Sequence, residues 1–197
     1  MKKNVKILFV QLLLLATVIF PNRSSAQITK VINTQVGTMK LSGTSTMHDW
    51  DMNGMFQVSG NFKVAEGSNK LQSVSGLNFV LPVENLKSDK RKLDETAYKA
   101  LKTEQYKDIY FKMTSSTITE LQSNRYKITA HGNLTIAGVT KPITMEVFWV
   151  VNADQTISCA GIQKLKMTDF KVEPPSFLGF MKTGDDISLD FVFQFKS

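Results

Sequence analysis

The chain has 197 residues, with 24 Lys and Arg against 17 Asp and Glu, for a formal charge of +7. An apolar fraction of 42% excludes a disordered chain, and the length excludes a large multidomain enzyme. The basic balance invites an anionic partner. However, Lys2, Lys3, Lys6 and Arg23 all fall within the first 26 residues, which contain no acid. The remainder holds 20 basic against 17 acidic groups, so no nucleic-acid partner is expected.

Residues 1–26 read as a signal peptide. Three lysines precede Ile7 to Phe20, a 14-residue stretch whose only polar members are Gln11 and Thr17. Pro21 breaks the run, and Ser24-Ser25-Ala26 supplies the small residues that a signal peptidase accepts. The run is shorter than the roughly 20 apolar residues a membrane-crossing helix needs. Cleavage after Ala26 is expected, leaving one domain over 27–197 that is exported to the periplasm or another extracytoplasmic space.

The rest of the chain is dominated by β-branched and aromatic runs separated by polar turns. Strands are predicted at Thr38 to His48, Asp51 to Val64, Ser73 to Glu84, Ile109 to Ile118, Arg125 to Ile136, Ile143 to Val151, Thr156 to Met167 and Ile187 to Lys196. Period-two alternation gives each an apolar face. Leu77, Phe79, Leu81 and Val83 share one; Tyr126, Ile128, Ala130, Gly132, Leu134 and Ile136 another; Ile187, Leu189, Phe191, Phe193 and Phe195 a third. Gly54 and Gly60 are expected where the sheet bends. Short returns between many strands imply an antiparallel barrel or sandwich, and closure into a barrel removes exposed edges.

From Ser88 to Lys107 the alternation stops, and Leu93, Ala97, Ala100 and Leu101 recur at helical spacing. One short helix is predicted, capped by Asp94 or Ser88, with its apolar stripe across the barrel or one end. Lys90-Arg91-Lys92 reads as a solvated charge run.

Few residues invite chemistry. His48, Asp49 and Asp51 are the one acid–base cluster with a histidine, but strand neighbours point to opposite faces, so His48 and Asp49 do not converge on one centre. A structural role is expected for His48, hydrogen-bonded where the chain turns into Trp50. His131 shares a polar face with Lys127 and Asn133. Cys159, the single cysteine, reads as a packed residue and permits no intrachain disulfide. No serine-nucleophile, P-loop or dinucleotide phrase occurs. Neither a cofactor nor a metal is expected. In Phe177-Leu178-Gly179-Phe180-Met181, after Pro174-Pro175, large apolar side chains sit in a connection; Phe177 and Phe180 are expected to gate the barrel mouth.

Several phrases occur together and in order. Leu86-Lys87-Ser88-Asp89 leads into Leu93-Asp94-Glu95, and Tyr106 to Phe111 follows. The stretch Gly132-Asn133-Leu134-Thr135-Ile136-Ala137-Gly138-Val139-Thr140-Lys141-Pro142-Ile143 comes next, and Thr183-Gly184-Asp185-Asp186-Ile187-Ser188-Leu189 closes the chain. Together they resemble the YceI-like family of exported bacterial proteins, over nearly all of the chain after the signal segment. The resemblance implies a lipocalin-like antiparallel barrel with an elongated apolar cavity, which in some relatives holds a polyisoprenoid. The chain departs from that pattern at Ser45 to Trp50 and at Met167-Thr168-Asp169-Phe170-Lys171.

The expected function is therefore non-enzymatic: sequestration of an isoprenoid or other lipid, with transient membrane contact. Phe79, Leu81, Phe111, Leu134, Phe191 and Phe193 are the expected ligand-binding residues. One alternative is a structural or stress-related envelope protein whose barrel is filled by its own side chains. The other is a small-molecule enzyme using His48.

Overall fold

Strands with one apolar face must bury that face, and here they do so by curling round on themselves. The computed structural model describes residues 27–65, 68, 70–154, 156–177 and 181–195. The expected signal segment, residues 1–26, lies outside them. Nine strands are present among the described residues: β1 (Gln27–Ser45), β2 (Trp50–Ala65), β3 (Leu71–Pro82), β4 (Asp108–Gln122), β5 (Arg125–Ile136), β6 (Val139–Val151), β7 (Ile157–Lys166), the two-residue β8 (Ser176–Phe177) and β9 (Met181–Phe195). Neighbours are antiparallel in the order β1 to β7, then β9, and the β1–β9 pairing closes the ring. The eight long strands correspond one to one with the predicted ones. β1 starts earlier than expected, at Gln27, and β9 at Met181.

The two ends of the barrel differ. At one end the returns are short, and Phe62, Tyr126, Trp149 and Phe195 fill the interior, all nearly inaccessible to solvent. Trp149 and Phe195 approach to 5.5 Å between ring centres, and Phe62 lies 6.4 and 6.2 Å from them. The Leu71 backbone N–H donates to the Tyr126 hydroxyl at 3.1 Å, tying the β3 end to this plug. At the other end the connections carry the 3-10 turn Val83–Asn85, helix α1 (Arg91–Ala100) and a second 3-10 turn, Thr168–Phe170.

Helix α1 is shorter than the predicted segment, and its cap is not the expected one. The N-cap is Lys90, with no side-chain cap bond. Asp94, already inside the helix, reaches back: its Oδ1 accepts from the Ser88 backbone N–H at 2.8 Å and the Ser88 hydroxyl at 2.7 Å. The Lys90 N–H in turn donates to Ser88 Oγ. Buried Asp94 thus ties down the turn leading into the helix, where a true N-cap would sit one residue outside it. On the C-terminal side, the Tyr98 hydroxyl donates to the Leu86 carbonyl at 2.8 Å and anchors α1 to the preceding segment. Arg91 pairs with Glu95 on the exposed face.

Gly60 sits at a register shift between Ser59 and Asn61, as a bend requires. Gly54 does not: it pairs regularly with Met39, and a Cβ there would come within 3.1 Å of a Leu86 methyl. Its role is close approach of the segment that carries α1. The β5–β6 return is a two-residue turn, Ala137-Gly138, with both φ angles positive, +47° and +77°. That geometry matches the strand twist and favours glycine. A Cβ at Gly138 would also meet the Tyr106 ring at 2.4 Å. Gly138→Ala is expected to destabilise the protein by about 2 kcal/mol, read as a shift of the urea midpoint at unchanged slope.

Candidate functional site

The half of the barrel beneath α1 is hollow. A cavity of about 170 Å³ lies there, with walls almost entirely apolar. Phe79, Leu81, Phe111, Leu134, Phe191 and Phe193 all line it, each on the inward face of its strand. Phe79 and Phe111 are direct cross-strand partners, as are Phe111 and Leu134, so three strands present a continuous apolar wall. Sequence reasoning did not select Met39, Leu41, Trp50, Met52, Ile109, Met145 and Val147, which also line it. Parity gave the inward faces of several strands; which strands stand next to one another across the interior depended on ring closure.

Two covers lie over the hollow end. The predicted stripe of α1 forms the first, since Leu93, Ala97, Ala100 and Leu101 all touch the cavity. The second was not foreseen. β6 and β7 pair only from Val147–Gly161 to Val151–Ile157, so their cavity-side halves separate. The strap that follows β7 supplies Met167, Phe170, Val172 and Pro175 to the lining, the first three buried. Phe177 is placed only by its backbone pairing with Met181, and Phe180 lies outside the described residues, so their expected gating role is not carried further.

The strap is tied to β9 by a two-pronged carboxylate contact. Asp185 Oδ1 accepts from the Thr168 backbone N–H at 2.9 Å, and Oδ2 from the Thr168 hydroxyl at 2.7 Å. The Asp185 carbonyl also accepts from the Met167 N–H. The Thr168 hydroxyl bond, then its backbone bond, hold the Asp185 carboxyl below the usual aspartate range, with Lys166 nearby adding to the effect. Lys166 pairs with Asp186 at 3.1 Å. Lys171 adopts a left-handed conformation, φ +54°, as the turn ends and the chain reverses.

Polar groups at the wall are few. Gln163 faces inward on β7, its amide donating to the Lys164 carbonyl at 3.0 Å; Thr96 and Thr183 border the space near the covers. Cys159 is buried beside the plug, and burial alone pushes its thiol well above the usual range, which keeps it un-ionised. His48 is exposed in the β1–β2 turn. There the local fold is held through backbone: the His48 N–H donates to Ser45 Oγ, and the Ser45 hydroxyl donates to the His48 carbonyl. The expected hydrogen bonding is thus made by the His48 main chain. Asp51 is engaged by Lys40 on the outer surface. His131 Nδ1 lies 2.9 Å from the Thr144 hydroxyl, also outside the barrel. Among the described residues no group of three or more His, Cys, Asp or Glu is placed to hold a metal.

A closed antiparallel barrel, one end packed and the other enclosing an apolar cavity under a helix, defines a lipocalin-like protein. More narrowly, the chain belongs to the YceI-like family: the model of the YceI-like domain matches residues 20–195. Comparison with curated proteins finds no match. Among solved structures, BcnA of Burkholderia cenocepacia is similar with a TM-score of 0.61 at 17% identity, over 80% of this chain and 96% of that one. A polyisoprenoid binding domain from Saccharophagus degradans is similar with a TM-score of 0.58 at 10% identity, over 84% and 99%. At these identities the likeness is one of fold.

Because Asp185 accepts its bonds as a carboxylate, its contribution is present above the ordinary aspartate pKa of about 3.9. It is lost as the pH falls through the lower folded value. Asp185→Ala should therefore speed hydrogen exchange of the 168–172 amides severalfold at neutral pH while β5 and β6 amides are unchanged. Wild-type protein should show the same local loosening on acidification below about pH 4.

Proposed function

We propose that this protein is an exported carrier that sequesters an isoprenoid or other lipid by burying its apolar chain in the barrel. The observation that carries the reading is the cavity itself: a space between the strands whose lining is almost entirely apolar, with Gln163 on β7 among its few polar groups. Burial drives binding, and each methylene moved from water into such walls contributes about 0.8 kcal/mol before ordering costs. Phe79, Leu81, Phe111, Leu134, Phe191 and Phe193 are the ligand-contacting residues. The few polar groups near the covers serve orientation. No bond is made or broken, and no cofactor takes part.

The polyisoprenoid-binding relative of the same fold favours a lipid guest. The basic, apolar first 26 residues favour export to the periplasm, where a water-insoluble chain needs an escort. Transient contact with a membrane would deliver the guest.

Native mass spectrometry of protein exported by its own signal and isolated without detergent tests this reading. The expected species begins at Gln27 and carries an added mass that organic extraction releases. A guest-free protein that also fails to take up an added apolar dye would overturn it.

A further inference from the structure

The cavity has a definite inner limit on four of its strands. Val58, Ala130, Val147 and Phe193 line it on β2, β5, β6 and β9. Further along the same inward faces stand Phe62, Ile128, Trp149 and Phe195, and none of these four touches the cavity. They are the packed plug, with Phe195 5.0 Å from the Phe193 ring and 5.5 Å from Trp149. The plug is therefore the floor of the site, and it fills the end of the barrel where β6 stops at Val151 and β9 at Phe195.

We infer that this floor is a chain-length ruler: the protein takes the terminal segment of an apolar chain about six to eight carbons deep, and the bulk of Trp149, packed behind the lining Val147, holds the floor in place. The inference rests on the proposed sequestration of an apolar guest and specifies what the site accepts. A cavity of about 170 Å³ is comparable to the roughly 150 Å³ apolar cavity that holds benzene, a six-carbon guest. Carbons beyond that depth have only the mouth and solvent to occupy. Trp149 is the largest side chain in the plug and fully buried. Its indole Nε1 has no hydrogen-bond partner among the described residues. An unpaired buried N–H is costly, so what Trp149 contributes here is volume. Trimming it therefore removes the largest packing volume behind the floor and breaks no hydrogen bond.

The test is calorimetric titration of the cleaved, delipidated protein with straight-chain 1-alkanols from four to twelve carbons. Affinity should rise about fourfold per carbon and then level off at six to eight carbons. In Trp149→Phe, the break should move one or two carbons further, with thermal unfolding confirming the fold. An unbroken rise to twelve carbons would overturn the ruler while leaving the carrier reading intact. No binding at any length would overturn both. A break that stays put in a folded Trp149→Phe would remove Trp149 as its cause. Should that variant fail to fold, the wild-type series still decides whether a floor exists, and Phe195→Leu takes the place of Trp149→Phe.

Discussion

The packing of Phe62, Tyr126, Trp149 and Phe195 at one end of the barrel is the contact on which everything else rests. An eight-stranded ring has an interior just wide enough to be filled by side chains or to hold one guest. This chain does both, at different heights. The filled end supplies dense, rigid packing, and the hollow end forgoes it. Leaving about 170 Å³ empty costs about 4 kcal/mol at the usual cavity rate, a large share of the 5–15 kcal/mol that holds a domain folded. A hollow half is tolerable only because the other half is packed and because the β1–β9 pairing closes the ring. A guest that fills the space restores the missing contacts, so binding and stability are coupled.

The covers explain why distant phrases of the sequence belong together. Thr168 and Asp185 come from two separate stretches, yet they form one contact that ties the strap to β9. Tyr106 and Gly138 likewise come from different phrases and meet where the chain leaving α1 passes the β5–β6 turn. Ser88 and Asp94 fix the start of α1. Each phrase is thus a fastening of the hollow end, where side-chain packing alone is thin.

Much of this was legible in the sequence, for physical reasons. Period-two alternation assigns inward and outward faces with no knowledge of closure, so Leu134 and Phe193 could be read as interior from pattern alone. The same pattern could not say that Phe193 borders a cavity while Phe195 fills a plug, because both have the same parity and the difference arises from ring closure and covers. The stripe of α1 was visible at helical spacing. Its fastening was not, since Asp94 works from within the helix on a residue six positions earlier. The strap was missed because Phe170 and Val172, past the predicted strand end at Met167, fall out of step with the Leu165–Met167 alternation. Gly54 was misjudged because a glycine needed for close approach looks the same as one needed for a bend.

The central claim, a hollow half above a packed half, is tested most directly by methyl-resolved NMR of the protein bound to 1-octanol. The account predicts intermolecular contacts from the octanol chain to the methyls of Leu81, Ala97, Leu134 and Leu189, and none to Ile128, Val151 or Ile157. Contacts to the latter group, or a guest held only at surface methyls, would contradict it.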